Sequence, residues 1–154
     1  MIDLVEGPLD VGALLASVAD PEHGGSALFV GTTRREEGIR ALVALEYEAY
    51  PELARAEMRV VCEEAAARYG ARAAVVHRVG RVVVGEPAVA VAASAPGRAG
   101  AFAATRHVID QVKRRAPIWK RAVYADGGER WLPGAPDPRA LSTPSQSRYP
   151  RPHA

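Results

Sequence analysis

Cysteine is nearly absent from this chain of 154 residues, since Cys62 is the only one. A single thiol excludes an internal disulfide framework and any zinc site built from several cysteines. The chain also lacks a run of about 18 uninterrupted apolar residues, so we predict no transmembrane helix. Residues 1–6 carry acidic side chains where a secretory signal would carry basic ones. Together these absences predict a cytoplasmic protein.

Lysine is scarce as well. Of the 20 basic residues, 18 are arginine and only two, Lys113 and Lys120, are lysine. Arginine stays protonated in proteins, whereas a lysine can lose its proton and act as a base or nucleophile. Chance alone places such a pair this close roughly one time in ten, so the two lysines indicate a place where an amine is needed. The net charge of +2 is too small to predict nucleic-acid binding by itself.

Three helices are predicted from the spacing of apolar residues. Val11, Leu14, Leu15 and Val18 recur at helical intervals and predict a short helix near the N-terminus. A second helix is predicted from Pro51 to a closing Gly70, since proline favours the first turn and glycine the position after the last. A third covers about residues 99–115 and ends before Pro117, whose ring removes a backbone donor.

Short β-rich runs predict the strands, at residues 26–30, 45–49, 73–79, 81–84 and 88–93, with a terminal hairpin over 118–125 and 129–132. The polar residues 32–38 are predicted to form a loop. The predicted fold class is α+β, with a single domain over residues 1–132. Residues 133–154 hold six of the twelve prolines and little apolar content, which predicts a disordered tail.

Seven short segments carry a family resemblance. In chain order they are FVGTTR at 29–34, LEYEAY at 45–50, HRVG at 77–80, VGE at 84–86, RAGAF at 98–102, KRRAPIWK at 113–120 and RW at 130–131. Their order and spacing resemble the large subunit of molybdopterin synthase, the MoaE family, along nearly the whole predicted domain. The block from Lys113 to Lys120 is the most specific.

The resemblance implies an α/β hammerhead-type fold and a homodimer, with a small ubiquitin-like subunit bound at each end of a heterotetramer. That partner inserts a Gly-Gly C-terminus, carried as a thiocarboxylate, into a pocket of the large subunit. The implied reaction transfers sulfur to cyclic pyranopterin monophosphate and forms the dithiolene of molybdopterin. We expect no metal and no further cofactor.

The resemblance assigns the catalytic role to Lys113 and Lys120. Neighbouring cations lower an amine's pKa, so Lys113 is predicted to act as nucleophile or as acid and base, and Lys120 to contact the pterin or its phosphate. Arg34 follows a strand and Arg98 opens a helix, and both positions suit an anionic group. The remaining residues that we expect at the substrate are Thr32, Thr33, Gly97, Arg121 and Ala122.

Three positions depart from the family's pattern. Gly97 stands where histidine is common, Thr32 where a basic residue is frequent, and Ala122 where an acidic one is common. We therefore keep as an alternative a weak or inactive paralogue that only binds the partner subunit. A third interpretation, a nucleic-acid patch on the arginines, would require strongly salt-dependent binding. His77 is interpreted as a structural, hydrogen-bonded residue and Cys62 as a core residue.

Overall fold

The computed structural model describes residues 1–37 and 40–134. Their elements, in chain order, are β1 (Ile2–Glu6), α1 (Val11–Ser17), β2 (Gly25–Thr32), β3 (Glu36–Glu37), β4 (Arg40–Ala49), α2 (Pro51–Tyr69), β5 (Arg72–Val83), β6 (Pro87–Ala95), α3 (Arg98–Arg115), β7 (Ile118–Tyr124) and β8 (Glu129–Leu132). The predicted α+β class is confirmed. Apart from its first two residues, the predicted tail over 133–154 lies outside the described residues, so that domain boundary stays a prediction.

The strands of the described residues form one sheet in the order β2-β6-β5-β4-β7-β8, mostly antiparallel. The long strand β5 joins its two halves: Arg72–His77 pairs with β6, and Gly80–Val83 pairs with β4. Gly80, the first residue of the half that pairs with β4, has φ +82°, a conformation that favours glycine. One strand therefore couples the part of the sheet beneath the helices to the part that carries β7 and β8.

The helices α2 and α3 pack together on one face of the sheet and enclose the main core. Pro51 stands at the first position of α2, and Gly70 ends the helix with φ +61°. On the opposite face, α1 covers a smaller apolar cluster that includes Leu14 and Val18. None of the helices in the described ranges is long and apolar enough to span a membrane.

The strands differ from prediction where pairing depends on distant residues. β1 was not predicted, and it pairs parallel to β5 with Leu4 opposite His77. The predicted loop 32–38 contains the short strand β3, which pairs with the start of β4. The two runs predicted at 73–79 and 81–84 are one continuous strand. In each case the partner strand supplies the hydrogen bonds that a local pattern does not reveal.

Candidate active site

Lys113 lies in the last turn of α3, and two features fix that turn. The helix ends because Ala116, its C-cap, takes an extended conformation before Pro117, while its N–H still donates to the carbonyl oxygen of Val112. The neighbouring Arg115 binds α2 through Glu64 at 2.8 Å and Glu57 at 3.1 Å. These contacts hold the end of α3, and with it the base of the Lys113 side chain, against α2.

Lys120 lies in the middle of β7, directly between two neighbouring strands. It is opposite Tyr47 on β4 and opposite Leu132 on β8. Directly opposed residues in a sheet point to the same face, so these three side chains share one face. The turn at Pro117 thus reverses the chain and places Lys120 near the end of α3, where both lysines line the same recesses.

Two recesses meet at the lysine pair, since both are lined by Lys113, Lys120 and Tyr47. The smaller, of about 80 Å³, is otherwise lined by His77, Val112, Ala116, Ile118, Leu132, Pro133 and Gly134. The larger, of about 140 Å³, is otherwise lined by Phe29, Gly31, Thr32, Thr33, Arg34, Leu42, Leu45, Ala88 and Val89. The structure therefore brings together Lys113, Lys120, Thr32, Thr33 and Arg34 of the predicted site.

The amine of Lys113 lies in an unusual electrostatic environment. Its pKa is lowered from the ordinary value, first because surrounding protein atoms desolvate the charge and second because Lys120 repels it. The residue nevertheless remains exposed to solvent. A lowered pKa increases the fraction of neutral amine, which is the form able to accept a proton or attack an acyl carbon.

The segment Thr32–Arg34 reaches the larger recess because the β5–β6 turn holds it there. The N–H of Thr33 donates to the carbonyl oxygen of Glu86 at 3.0 Å, and the N–H of Gly85 donates to the carbonyl oxygen of Thr33 at 2.7 Å. Glu86 itself is bound by the buried Arg78 at 2.9 Å. The HRVG and VGE segments thus contribute support: they hold the backbone that carries Thr33 and Arg34.

Gly31 permits the same segment to lie close to β6. A Cβ atom at this position would lie 2.8 Å from Cγ1 of Val89, a distance that would force a shift. The pairing register of β2 with β6 also changes between Gly31 and Thr32. The hydroxyl of Thr33 is buried just beyond this point and has no hydrogen-bond partner among the described residues. A buried hydroxyl in that state is suited to bind a polar group of a ligand.

Gly97 and Arg98 lie at the other end of α3 and line neither recess. Along a helix with a rise of ~1.5 Å per residue, Arg98 is about 22 Å from Lys113. Both Gly97 and Arg98 are exposed. Within one copy of the chain, the structure therefore does not bring them to the lysine pair, and their contact with substrate stays a prediction.

Arg121 and Ala122 also lie away from the recesses. Arg121 alternates with Lys120 along β7, and it binds Glu129 of β8 at 3.0 Å. Ala122 is fully buried in the apolar cluster of β4, β7 and β8. Neither residue lines a recess, so their predicted contact with substrate has no support from the geometry of one copy. An acidic side chain at position 122 would point to the same face as Lys120.

Tyr47 and His77 belong to the site although the sequence did not indicate them. Their rings contact each other edge to face, with centroids 4.9 Å apart. Both positions lie in strands with ordinary alternating patterns, and their place in the site depends on which strands are neighbours. The family segments LEYEAY and HRVG were the only available signal. Cys62, by contrast, is buried as expected, and burial raises its pKa to about 12.

Comparison with known sequences supports one family. The family model described as "MoaE protein" matches residues 4–115. The chain is 41% identical over 136 residues to "Molybdopterin synthase catalytic subunit 1" of Mycobacterium tuberculosis, covering 86% of this chain and 90% of that one. It is 40% identical to "Molybdopterin synthase catalytic subunit" of Drosophila willistoni, covering 84% of this chain but 36% of that longer protein.

Solved structures share the fold that the resemblance implied. Molybdopterin synthase from Staphylococcus aureus matches with a TM-score of 0.82 and 27% identity, covering 85% of this chain and 96% of that one. A complex of subunits 1 and 2 of the molybdopterin-converting factor from Helicobacter pylori matches with a TM-score of 0.69, at 22% identity and with 85% and 89% of the two chains covered. The match of the family model and the identity to full-length relatives lead to one conclusion: this chain belongs to the MoaE family.

Proposed function

We propose that this chain is the catalytic subunit of a cytoplasmic molybdopterin synthase. In this proposal it transfers sulfur from the C-terminal thiocarboxylate of a small ubiquitin-like partner to cyclic pyranopterin monophosphate, and it forms the dithiolene of molybdopterin. The observation that carries the proposal is the pair of recesses that meet at Lys113 and Lys120. A reaction between two separately bound molecules requires two binding sites with a common boundary, and the reactive groups must lie at that boundary.

The larger recess suits the phosphate-bearing pterin. Arg34 and both lysines line it, and its Thr33 hydroxyl is buried without a partner among the described residues. A guanidinium binds phosphate through two parallel hydrogen bonds, and ammonium groups add positive charge. The buried hydroxyl supplies a further donor that would otherwise remain unsatisfied. These features favour an anion with several oxygen atoms over an apolar ligand.

The smaller recess suits the end of a peptide chain. Its lining includes the apolar Val112, Ile118 and Leu132, and the lysine pair stands at its boundary with the larger recess. The volume of this recess, about 80 Å³, favours a segment without side chains, such as two glycines. A thiocarboxylate at the end of that segment would then lie between two cations, which stabilise its negative charge.

The two lysines have different roles in this proposal. Lys113, with its lowered pKa, is the nucleophile or the acid and base during transfer. Lys120, fixed on the sheet between Tyr47 and Leu132, supplies charge to the pterin or its phosphate. Two sulfur atoms are required for a dithiolene, so each product consumes two loaded partner molecules.

We also propose a homodimer with one partner subunit on each copy. Phe102 on α3 is 67% exposed, and Leu28 and Phe29 on the edge strand β2 are also exposed. Exposed apolar side chains beside a strand edge favour association. Phe102 lies one turn from Arg98 on the same face of α3. If Arg98 contacts the substrate, the geometry requires that it do so in the recess of the second copy.

One assay separates this proposal from its alternative. The chain is combined with a thiocarboxylated ubiquitin-like partner and with the cyclic precursor, and the dithiolene product is quantified. We expect product, with two partners consumed for each molecule formed. Partner binding without product would favour the inactive paralogue, to which the departures at Thr32, Gly97 and Ala122 point. The control is Lys113→Ala, which should bind the partner and form almost no product.

A further inference from the structure

His77 occupies a position in the smaller recess that its expected structural role does not explain. It lies on β5 and shares the face of Val75, which packs in the core beneath α2 and α3. The residue is only 3% exposed, yet it lines the recess together with both lysines.

The hydrogen bonding of His77 fixes which of its nitrogen atoms can accept. Nδ1 lies 2.7 Å from the carbonyl oxygen of Arg78. A carbonyl oxygen only accepts, so Nδ1 carries the hydrogen and donates it. In the neutral ring, Nε2 then carries the lone pair and is a hydrogen-bond acceptor.

The ring also remains neutral under ordinary conditions. Burial lowers the pKa of His77 to about 4, and the charges of Lys113 and Lys120 act in the same direction. Near pH 7 the neutral ring therefore predominates. His77 therefore does not exchange protons with the lysines at neutral pH, and its Nε2 atom stays an acceptor.

A peptide that enters this recess brings hydrogen-bond donors that need such an acceptor. Each peptide N–H that leaves water requires a partner. The lysines are donors without a lone pair when protonated, and the apolar lining residues offer no side-chain acceptor. Tyr47 carries a hydroxyl that both donates and accepts, and His77 supplies an atom that only accepts.

Resting on the function proposed above, we propose that His77 binds the partner's C-terminal tail: its Nε2 accepts the N–H of the peptide bond between the last two glycines. This hydrogen bond sets the depth of the tail, so that the terminal carbon lies against the lysine pair. His77 is thus a determinant of tail recognition, and it leaves the chemical step to Lys113.

Two substitutions separate the two nitrogen atoms of the ring. His77→Asn retains a donor near the Nδ1 position and removes the acceptor, whereas His77→Gln offers an amide oxygen near the Nε2 position and removes the donor to Arg78. The probe is the partner subunit with an ordinary C-terminal carboxylate, and calorimetry measures its Kd. We expect His77→Asn to weaken binding about tenfold and His77→Gln to remain within about threefold. If His77→Gln weakens binding more than His77→Asn does, partner binding depends on the hydrogen bond to Arg78, and the inference is overturned.

A second measurement tests the donor on the partner, and its first arm uses the unaltered chain. Methylation of the nitrogen in the last peptide bond of the partner removes the N–H. Binding to the unaltered chain should fall about tenfold, and binding to Tyr47→Phe should fall by the same factor. The melting temperature of His77→Asn measures whether that variant folds. In a folded His77→Asn chain, methylation of the partner should change the Kd little. An unchanged Kd for the methylated partner would overturn the inference alone, whereas a failure of the ordinary partner to bind would overturn the proposed function as well.

Discussion

Both ends of α3 carry basic residues, Arg98 at the N-terminal end and Lys113, Arg114 and Arg115 at the C-terminal end, but their surroundings differ. At the C-terminal end, Lys113 is held by the Arg115 ion pairs and faces Lys120 across a shared boundary of two recesses. At the N-terminal end, Arg98 is exposed, and a Cβ at Gly97 would have no atom within 4 Å. Within one copy, the C-terminal end lines both recesses, whereas the N-terminal end is exposed and lines neither. A resemblance in sequence assigns residues to one function, but it does not show whether one chain brings them together.

The largest loss of activity is expected from substitution of Lys113, at the C-terminal end of α3. Arginine keeps the positive charge but does not release its proton, so Lys113→Arg separates charge from amine chemistry. We expect Lys113→Arg and Lys113→Ala to lose similar activity, on the order of 10²–10⁴-fold in kcat. Product formation by stopped assay measures the loss, and calorimetry with the partner serves as the control for folding. Near-normal turnover by Lys113→Arg would leave Lys113 as an electrostatic anchor and would contradict its proposed role.

Substitution of Lys120 should give a smaller loss, and here the arginine and alanine variants should differ. Because it supplies charge, Lys120→Arg should retain more activity than Lys120→Ala, which we expect to lose on the order of 10²-fold. The charge of Lys120 also lowers the pKa of Lys113. Removing that charge should raise the Lys113 pKa toward its ordinary value, so the rising limb of the pH–rate profile, along which Lys113 loses its proton, should move to higher pH. If the pH–rate profile of Lys120→Ala has this limb at the same pH as the unaltered chain, the two amines are not coupled.

The end of α3 near Lys113 could be predicted from the sequence because the signals that end the helix are local. Pro117 ends the helix, and the eight residues from Lys113 to Lys120 span one chain reversal. The contributions of Tyr47 and His77 could not be predicted locally, since they depend on β4 pairing with both β5 and β7. β1 was missed for the same reason, because its partner is more than seventy residues away. Gly97 and Arg98 were assigned to the site by motif, which carries no information on distance.

A third prediction compares Arg34, which lines the larger recess, with Arg98, which lies at the N-terminal end of α3. Arg34 lines the larger recess within one copy, so Arg34→Ala should weaken precursor binding about tenfold to a hundredfold in any assembly state. Arg98→Ala should weaken it less, and only where a second copy supplies the side chain. Phe102→Glu places a charge on the exposed apolar face and should prevent the dimer. In that background Arg98→Ala should cause no further loss, while Arg34→Ala still should.

Isothermal titration with the precursor, together with light scattering for the assembly state, measures this third comparison. A wild-type chain that remains monomeric at micromolar concentration would contradict the proposed dimer. An equal loss from Arg98→Ala in monomer and dimer would show that Arg98 acts without a second copy, against the distance along α3. Partner binding should stay within about threefold in each arginine variant, because the partner contacts a surface larger than one side chain.

The smallest effect is expected at Gly97, where the exposed end of α3 departs from the family. Its backbone is extended, with φ −131° and ψ 162°, and a Cβ there would meet open space, so a side chain fits without strain. Gly97→His should therefore change the free energy of unfolding by no more than about 0.5 kcal/mol. Its activity should be unchanged or higher, since histidine is common here in the family. Thermal unfolding and the product assay measure both quantities. A tenfold loss of activity with an unchanged melting temperature would show that this loop follows a different alignment, and it would remove the reason to place Arg98 beside the substrate.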